Sequence, residues 1–264
     1  MPGLIADNVK HHHSFACLQA FFHGEKTPVN ALDAFCEPIE NKWMTTQDSG
    51  EVEEELNMSW RGLLSQAMNT SFKDPARQKL VDFVHSLRKR PNLAKDGQVC
   101  EVQGMTVWRD LPTFGYKVRD AWNTPAGQNS DQHSKDHWIN LNAFTAALLA
   151  SDPNDSLDLS LFGLWSTRMA LEESHKAPDA VVAAAAAWFA FAGPSIWKFS
   201  QQGKSFDGKV AKPGSAFSER EWRGFSQERW IAWQDKFGAV EGQLSEASAK
   251  ELVAEARKAM AEAK

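Results

Sequence analysis

The chain has 264 residues, 42% of them hydrophobic, and a formal net charge of −5. It can bury a large core, and its acidic balance argues against broad binding of nucleic acid or anionic membranes. Three cysteines, Cys17, Cys36 and Cys100, form no CxxC and cannot all pair, which excludes a disulfide framework and fits a reducing compartment.

The first stretch, MPGLIADNVKHHH, lacks a charged-then-apolar signal pattern, so secretion is not expected. His11-His12-His13 are consecutive, and three consecutive side chains point around a helix rather than to one site. Residues 1–27 read as a lead-in and a first helix, Val9 to His23, with Phe15, Leu18, Phe21 and Phe22 on its apolar side. Thr27-Pro28 is a cap and a first-turn proline, opening a second helix expected to end near Glu37 before Pro38. From Glu51 to Phe72, Leu56, Trp60, Leu63, Leu64 and Ala67 keep helical spacing, and Asp74-Pro75 starts a further helix carrying Leu80, Phe83, Val84 and Leu87. Its basic end, Arg88-Lys89-Arg90, suits the helix dipole. Pro91 to Met105 reads mostly as loop, with Gln98 to Met105 a short extended piece at most. Helix resumes near Pro112 and runs to about Trp122, and Asn123 to Lys135 is a polar loop.

Three strong helices follow: Asp136 to Ala150, Ser156 to Ser174, and one beginning at Asp179. The last contains the most apolar run of the chain, DAVVAAAAAWFAFAGPSIW, with an unbroken alanine run from Ala183 to Ala187. From Ala180 to Gly193 the run has 14 residues, short of the roughly 20 that span a bilayer, so it is expected as a buried core helix. Gly193-Pro194 is the expected stop, with a short helix after it. The helix from Ser156 is its expected main neighbour. Residues 202–217 read as a flexible loop. Ser218 and Glu221 form a capping box that opens a helix holding Trp222, Phe225, Trp230, Trp233 and Phe237, and a final amphipathic helix spans Glu246 to Ala263. The expected fold is all-α: a single domain over residues 1–264, an irregular multi-helix bundle of about ten helices around a buried Ala-rich central helix.

Four clusters carry a resemblance: Trp108-Arg109-Asp110-Leu111-Pro112 with Arg119-Asp120-Ala121-Trp122; Trp138-Ile139-Asn140-Leu141-Asn142-Ala143-Phe144; Ala187-Trp188 through Ala192-Gly193-Pro194; and Arg229-Trp230 with Trp233 and Phe237. Together they resemble a family of intracellular all-helical proteins from filamentous fungi whose domain has no assigned function. The likeness covers roughly residues 28–260. It implies a helical fold and a cytoplasmic fungal setting, and it supplies no catalytic residues.

The aromatic balance, 11 Trp and 16 Phe against one Tyr, puts tryptophans either in the core or on the wall of a cleft. Trp108, Arg109, Arg119, Asp120 and Trp122 combine cations, acids and stacking faces that can grip a carboxylate or planar ligand. The plainer reading pairs Arg109 with Asp120, or Asp110 with Arg119, as a structural clamp. Trp138 and Asn142, four residues apart, either share a pocket wall or tie two helices together through a buried amide. Arg168 and Glu172, also four apart, form an ion pair that is either a bolt or the polar floor of a cavity, and Trp165 and Trp188 stand beside these positions. His133 and His137, with Asp136, have helical metal-ligand spacing, but their span crosses the expected helix start, so no metal is assigned. No GxGxxG, GxxxxGK[ST] or GxSxG occurs, and no cofactor is expected. The expected function is therefore binding of an apolar small molecule or a protein partner through a Trp-lined cleft. The alternative is a cofactor-independent isomerase or cyclase of fungal secondary metabolism, with Arg119, Asp120, Asn142, Arg168 and Glu172 as its polar groups.

Overall fold

The computed structural model describes residues 12–127, 129–151 and 157–263. His11 and the expected helix starts at Val9 and Ser156 lie outside the described residues. Helix accounts for 68% of the described residues and strand for 4%, so the protein is all-α. The chain gathers into two compact units, divided between Thr124 and Pro125.

In the first unit, α1 (His13–Phe22), α2 (Pro28–Thr46) and α3 (Ser49–Asn69) pack against one another, and α4 (Ala76–Arg88) lies on α2. Thr27 caps α2 as expected, its hydroxyl accepting from the Asn30 amide at 3.2 Å. The helix does not stop at Pro38 but runs eight residues further. Pro38 removes one helical hydrogen bond, and the buried face of Phe35, Ile39 and Trp43 carries the helix across that defect. Asp74 caps the Ala76 amide ahead of α4 at 2.8 Å.

The stretch expected as loop contains two tight hairpins, β1 (Ala94–Lys95) with β2 (Gln98–Val99), and β3 (Glu101–Val102) with β4 (Met105–Thr106). Asp96-Gly97 and Gln103-Gly104 both take positive φ at the two turn positions, the backbone of a type I′ turn. Next come α5 (Val107–Asp110) and α6 (Phe114–Trp122), separated by left-handed Leu111 and Thr113. This unit has its own aromatic core, in which Phe35 meets Phe83 at 5.3 Å and Trp60 meets Phe114 at 5.5 Å between ring centroids.

In the second unit, α7 (Gln132–Ser151) begins one turn earlier than expected because Asp131 accepts from the Ser134 amide at 2.7 Å. It leads to α8 (Ser160–Thr167), which widens into a π-helical turn, Arg168–Glu172, rather than continuing to Ser174. The Ala-rich helix is α9 (Asp179–Gln202), buried from Ala180 through Phe189. By length and composition it could cross a membrane, yet 78% of its most apolar window is buried within the protein, as a core helix should be. The expected stop at Gly193-Pro194 is a kink instead. Ala192 leaves helical geometry (φ −130°, ψ 19°) and the helix resumes at once, since Pro194 cannot donate to the Ala190 carbonyl.

The main neighbours of α9 are α7 and α11 (Ala247–Glu262); α8 touches it less. A Cβ at Gly193 would lie only 3.4 Å from the Cβ of Ala259, so small residues on both sides let α9 and α11 approach closely. At its start, Asp179 accepts from the Ser245 and Glu246 amides at 2.6 and 2.8 Å, tying α9 to the lead into α11. The helix expected from Ser218 begins at Gln227 instead. Ser226 supplies its cap, and α10 (Gln227–Glu241) follows. Glu221 closes no capping box, because residues 218–226 belong to the long connection that starts at Gly203.

Candidate functional site

The most elaborate polar construction lies in the second unit, at the π-helical turn. Glu172 and Arg229 are both fully buried. Glu172 Oε1 accepts from Arg229 Nε and Trp233 Nε1, each at 2.7 Å, and Oε2 accepts from Arg229 Nη2 at 2.9 Å and the Gly214 amide at 3.0 Å. Arg229 Nη1 donates to the Ala211 and Gly224 carbonyls, both at 2.9 Å, and Nη2 also reaches the Lys212 carbonyl at 3.4 Å. All five guanidinium hydrogens and both carboxylate oxygens are thereby used. Burial of a charge pair is tolerated only when it is satisfied this fully. The guanidinium carbon lies over the rings of Trp222 and Trp233, 5.2 and 5.5 Å from their centroids.

The pair holds the 203–226 connection in place. Trp165 Nε1 donates to the Val210 carbonyl at 2.7 Å, and Ser215 donates through its hydroxyl to Glu173 at 2.7 Å. Lys204 bonds Asp158 at 2.6 Å. Ser205 bridges to Gly224, where any Cβ would come within 2.0 Å of the Lys204 carbonyl oxygen, so glycine is required. Glu172 thus pairs with Arg229 and not with Arg168, whose Nη1 reaches the Lys212 carbonyl at 3.4 Å. The π-helical turn breaks the i, i+4 relation from which the Arg168–Glu172 pair was inferred.

A second buried network centres on Asn142. Its Oδ1 accepts from Ser166 Oγ and Trp188 Nε1, both at 2.8 Å, and its Nδ2 donates to the Trp138 carbonyl at 2.9 Å. It joins α7, α8 and α9, and Gly163 sits against the Trp188 ring, so no space for a ligand is left there. Among the sequence-derived candidates, Trp138, Asn142 and Trp188 therefore come together, in a packed core.

In the first unit the polar-aromatic candidates spread apart. Trp108 is buried and donates to Glu40 Oε1 at 3.1 Å, which also receives Arg90 Nε at 2.6 Å; Arg90 Nη1 reaches Asp33 at 2.8 Å. The basic run at Arg88 is thus more than a helix end, since Arg90 anchors two acids of α2. Arg109 bonds its neighbour Asp110, which caps the Thr106 amide, and Asp120 bonds Lys117. Arg109, Arg119 and Asp120 are exposed, and Trp122 is half-buried. His133 and His137 both lie on α7, with ring centroids 3.8 Å apart, because the helix starts before both of them.

Eight of the 11 tryptophans are buried, so the abundance of tryptophan mostly builds core. Two clefts bear on binding. In the first unit, one of about 400 Å³ is lined by Phe21, Pro28, Val29, Leu32 and Phe83, and also by Lys26, Lys79 and Asp82. In the second, a groove of about 510 Å³ runs along α10 past Phe217, Trp222, Ile231 and Lys236. None of the sequence-derived site residues lines either of them. Sequence reasoning missed Arg229 as a site residue; an arginine at i, i+4 from Trp233 in an otherwise aromatic helix was the available signal.

The family model for a protein of unknown function, DUF3632, matches residues 60–237, over half of the chain. The chain belongs to the DUF3632 family. The match takes in all four tryptophan-centred clusters and the whole Glu172–Arg229 construction. No curated protein and no solved structure matches the chain.

Proposed function

We propose that this protein binds a small amphipathic molecule, apolar in body and acidic at one end, in the first-unit cleft. One observation carries the reading: a concavity of about 400 Å³ lined by phenylalanine and aliphatic side chains also takes two lysines into its lining. That volume falls within the range of small-molecule sites. Neither Lys26 nor Lys79 has a side-chain partner among the described residues, while the acid beside them, Asp82, accepts from Gln78 at 2.9 Å. An acidic head group would meet two available cations, and the ligand body would cover Phe21, Phe83 and the largely exposed Val29. The cleft is walled by phenylalanine where the sequence suggested tryptophan.

The enzyme alternative is less well supported. Asn142 Oδ1 and both Glu172 oxygens each already accept two hydrogen bonds from the protein, which leaves none of these acceptors free for chemistry. A cytoplasmic, fungal setting stays with the proposal, and three free, buried thiols support a reducing compartment.

Anilinonaphthalene sulfonate, which is apolar and anionic, tests the idea by titration against the native chain. Saturable binding should weaken about ten-fold or more in Lys26→Glu/Lys79→Glu, and also in Val29→Asp. Binding that both variants leave unchanged sinks the assignment.

A further inference from the structure

We propose a divalent transition-metal site formed by His12, His13 and Glu55, at the other end of α1 from the ligand cleft. One ligand atom from each of the three lies within 4.8 Å of the other two. His12 Nε2 is 3.1 Å and His13 Nδ1 is 3.5 Å from the same carboxylate oxygen, Glu55 Oε1. A tetrahedral ion with bonds of about 2.0–2.1 Å holds its donor atoms roughly 3.3 Å apart, so these spacings suit zinc with little adjustment.

Adjacent histidines on a regular helix diverge. Here they converge because His12 is not helical: it is the N-cap of α1, with extended backbone (φ −73°, ψ 139°), while His13 is the first helical residue. Their ring centroids lie 4.2 Å apart. The expected divergence does not hold for His12 and His13 for this reason. Position is fixed from the other side as well. Ser14 packs against Gly62 of α3, where a Cβ would come within 2.5 Å of its hydroxyl, and Glu55 lies seven residues before Gly62, on the same helix face.

The other nitrogen of the His12 ring has partners of its own. His12 Nδ1 is 2.7 Å from Ser14 Oγ. The Ser14 amide also donates to Nδ1, at 3.4 Å, so ligation through Nε2 exchanges that longer bond for a proton on Nδ1 that donates to the Ser14 hydroxyl, and the imidazole stays neutral. His13 Nε2, the nitrogen not needed for ligation, is buried, and the Phe35 backbone lies close to the His13 ring. Two imidazoles and one carboxylate leave a fourth position for water, a donor set suited to zinc, cobalt or iron and poor for calcium or magnesium.

Zinc titration of the full-length chain by calorimetry, with cobalt absorption as a check on geometry, tests the site. One zinc per chain is expected, with affinity reduced about ten-fold or more by Glu55→Gln and by His12→Ala, while His137→Gln leaves it unchanged. Glu55→Gln is the decisive variant, because loose chelation by a histidine run does not require Glu55. Undiminished zinc binding in a folded Glu55→Gln protein, or no stoichiometric binding at all, overturns the proposal. Matching far-ultraviolet circular dichroism of the variants separates lost ligation from lost fold.

Discussion

Glu172 and Arg229, 57 positions apart, meet in a fully buried bidentate pair at 2.7 and 2.9 Å. Removing one partner leaves the other charge buried without compensation, which costs about 3–5 kcal/mol. Glu172→Ala and Arg229→Ala should each lower the urea midpoint strongly without changing the slope much. The double variant Glu172→Leu/Arg229→Met should recover part of the loss, because no lone charge remains. A double variant as unstable as the sum of the singles would show the pair to be uncoupled.

The same pair anchors residues 211–214 and 224, so its loss should also free the connection that it holds. Limited proteolysis of Glu172→Ala is expected to cut first within 203–226, before either unit unfolds, whereas the wild-type chain resists there. Cleavage elsewhere first would mean that Trp165, Ser215 and Lys204 hold the connection without help from Glu172.

The sequence made α9 legible because its charge-free alanine and aromatic run is too apolar for water and, at 14 residues from Ala180 to Gly193, too short to span a bilayer before Pro194, which leaves the interior. Cap-and-proline starts at Thr27 and Asp74 were equally readable, since the signal and the structure are both local. What failed was non-local. Pro38 looked like a terminus, yet the burial of Phe35, Ile39 and Trp43 outweighs one lost hydrogen bond. Glu172 was given to Arg168 by helical spacing, and a widened turn gave it instead to an arginine on α10. The Ser218–Glu221 pattern satisfied the capping rule, but residues 218–226 were already committed to the bridge at Gly224 and to the carbonyls that Arg229 requires. The first-unit cleft was not legible at all, because its walls come from residues 21–32 and 79–86, far apart in sequence.

Gly163 marks a tight packing point, since a Cβ there would lie 2.7 Å from the Trp188 ring. That ring is held by its bond to Asn142 and cannot swing aside freely. Gly163→Ala should therefore cost about 1–3 kcal/mol by overpacking, despite alanine's better helix propensity. Thermal unfolding checks this, and a raised Tm would show that α8 can move away from α9.

Burial pushes the Cys100 thiol up to about 11 and raises those of Cys36 and Cys17 as well, so thiolate is scarce in the folded protein at neutral pH. A thiol-specific alkylating reagent should leave all three unmodified in the native state and label all three in urea. Labelling of any one under native conditions would reveal a local opening near that residue.

His137 should contribute a pH dependence of definite sign. Burial, and then the neighbouring His133, hold its pKa below the ordinary 6.5, with Asp136 and Asp131 opposing. The unfolded chain therefore takes up this proton at higher pH than the folded one. Stability is fully present above about pH 6.5 and erodes as pH falls toward the lower folded value, below which the loss is complete. Urea midpoints measured at about pH 7.5 and about pH 5.5 should differ less in His137→Gln than in the wild type. His133→Gln should also shrink the difference, by less, because it removes only the neighbouring charge and leaves His137 buried. An unchanged difference in both variants would move the titration to another group.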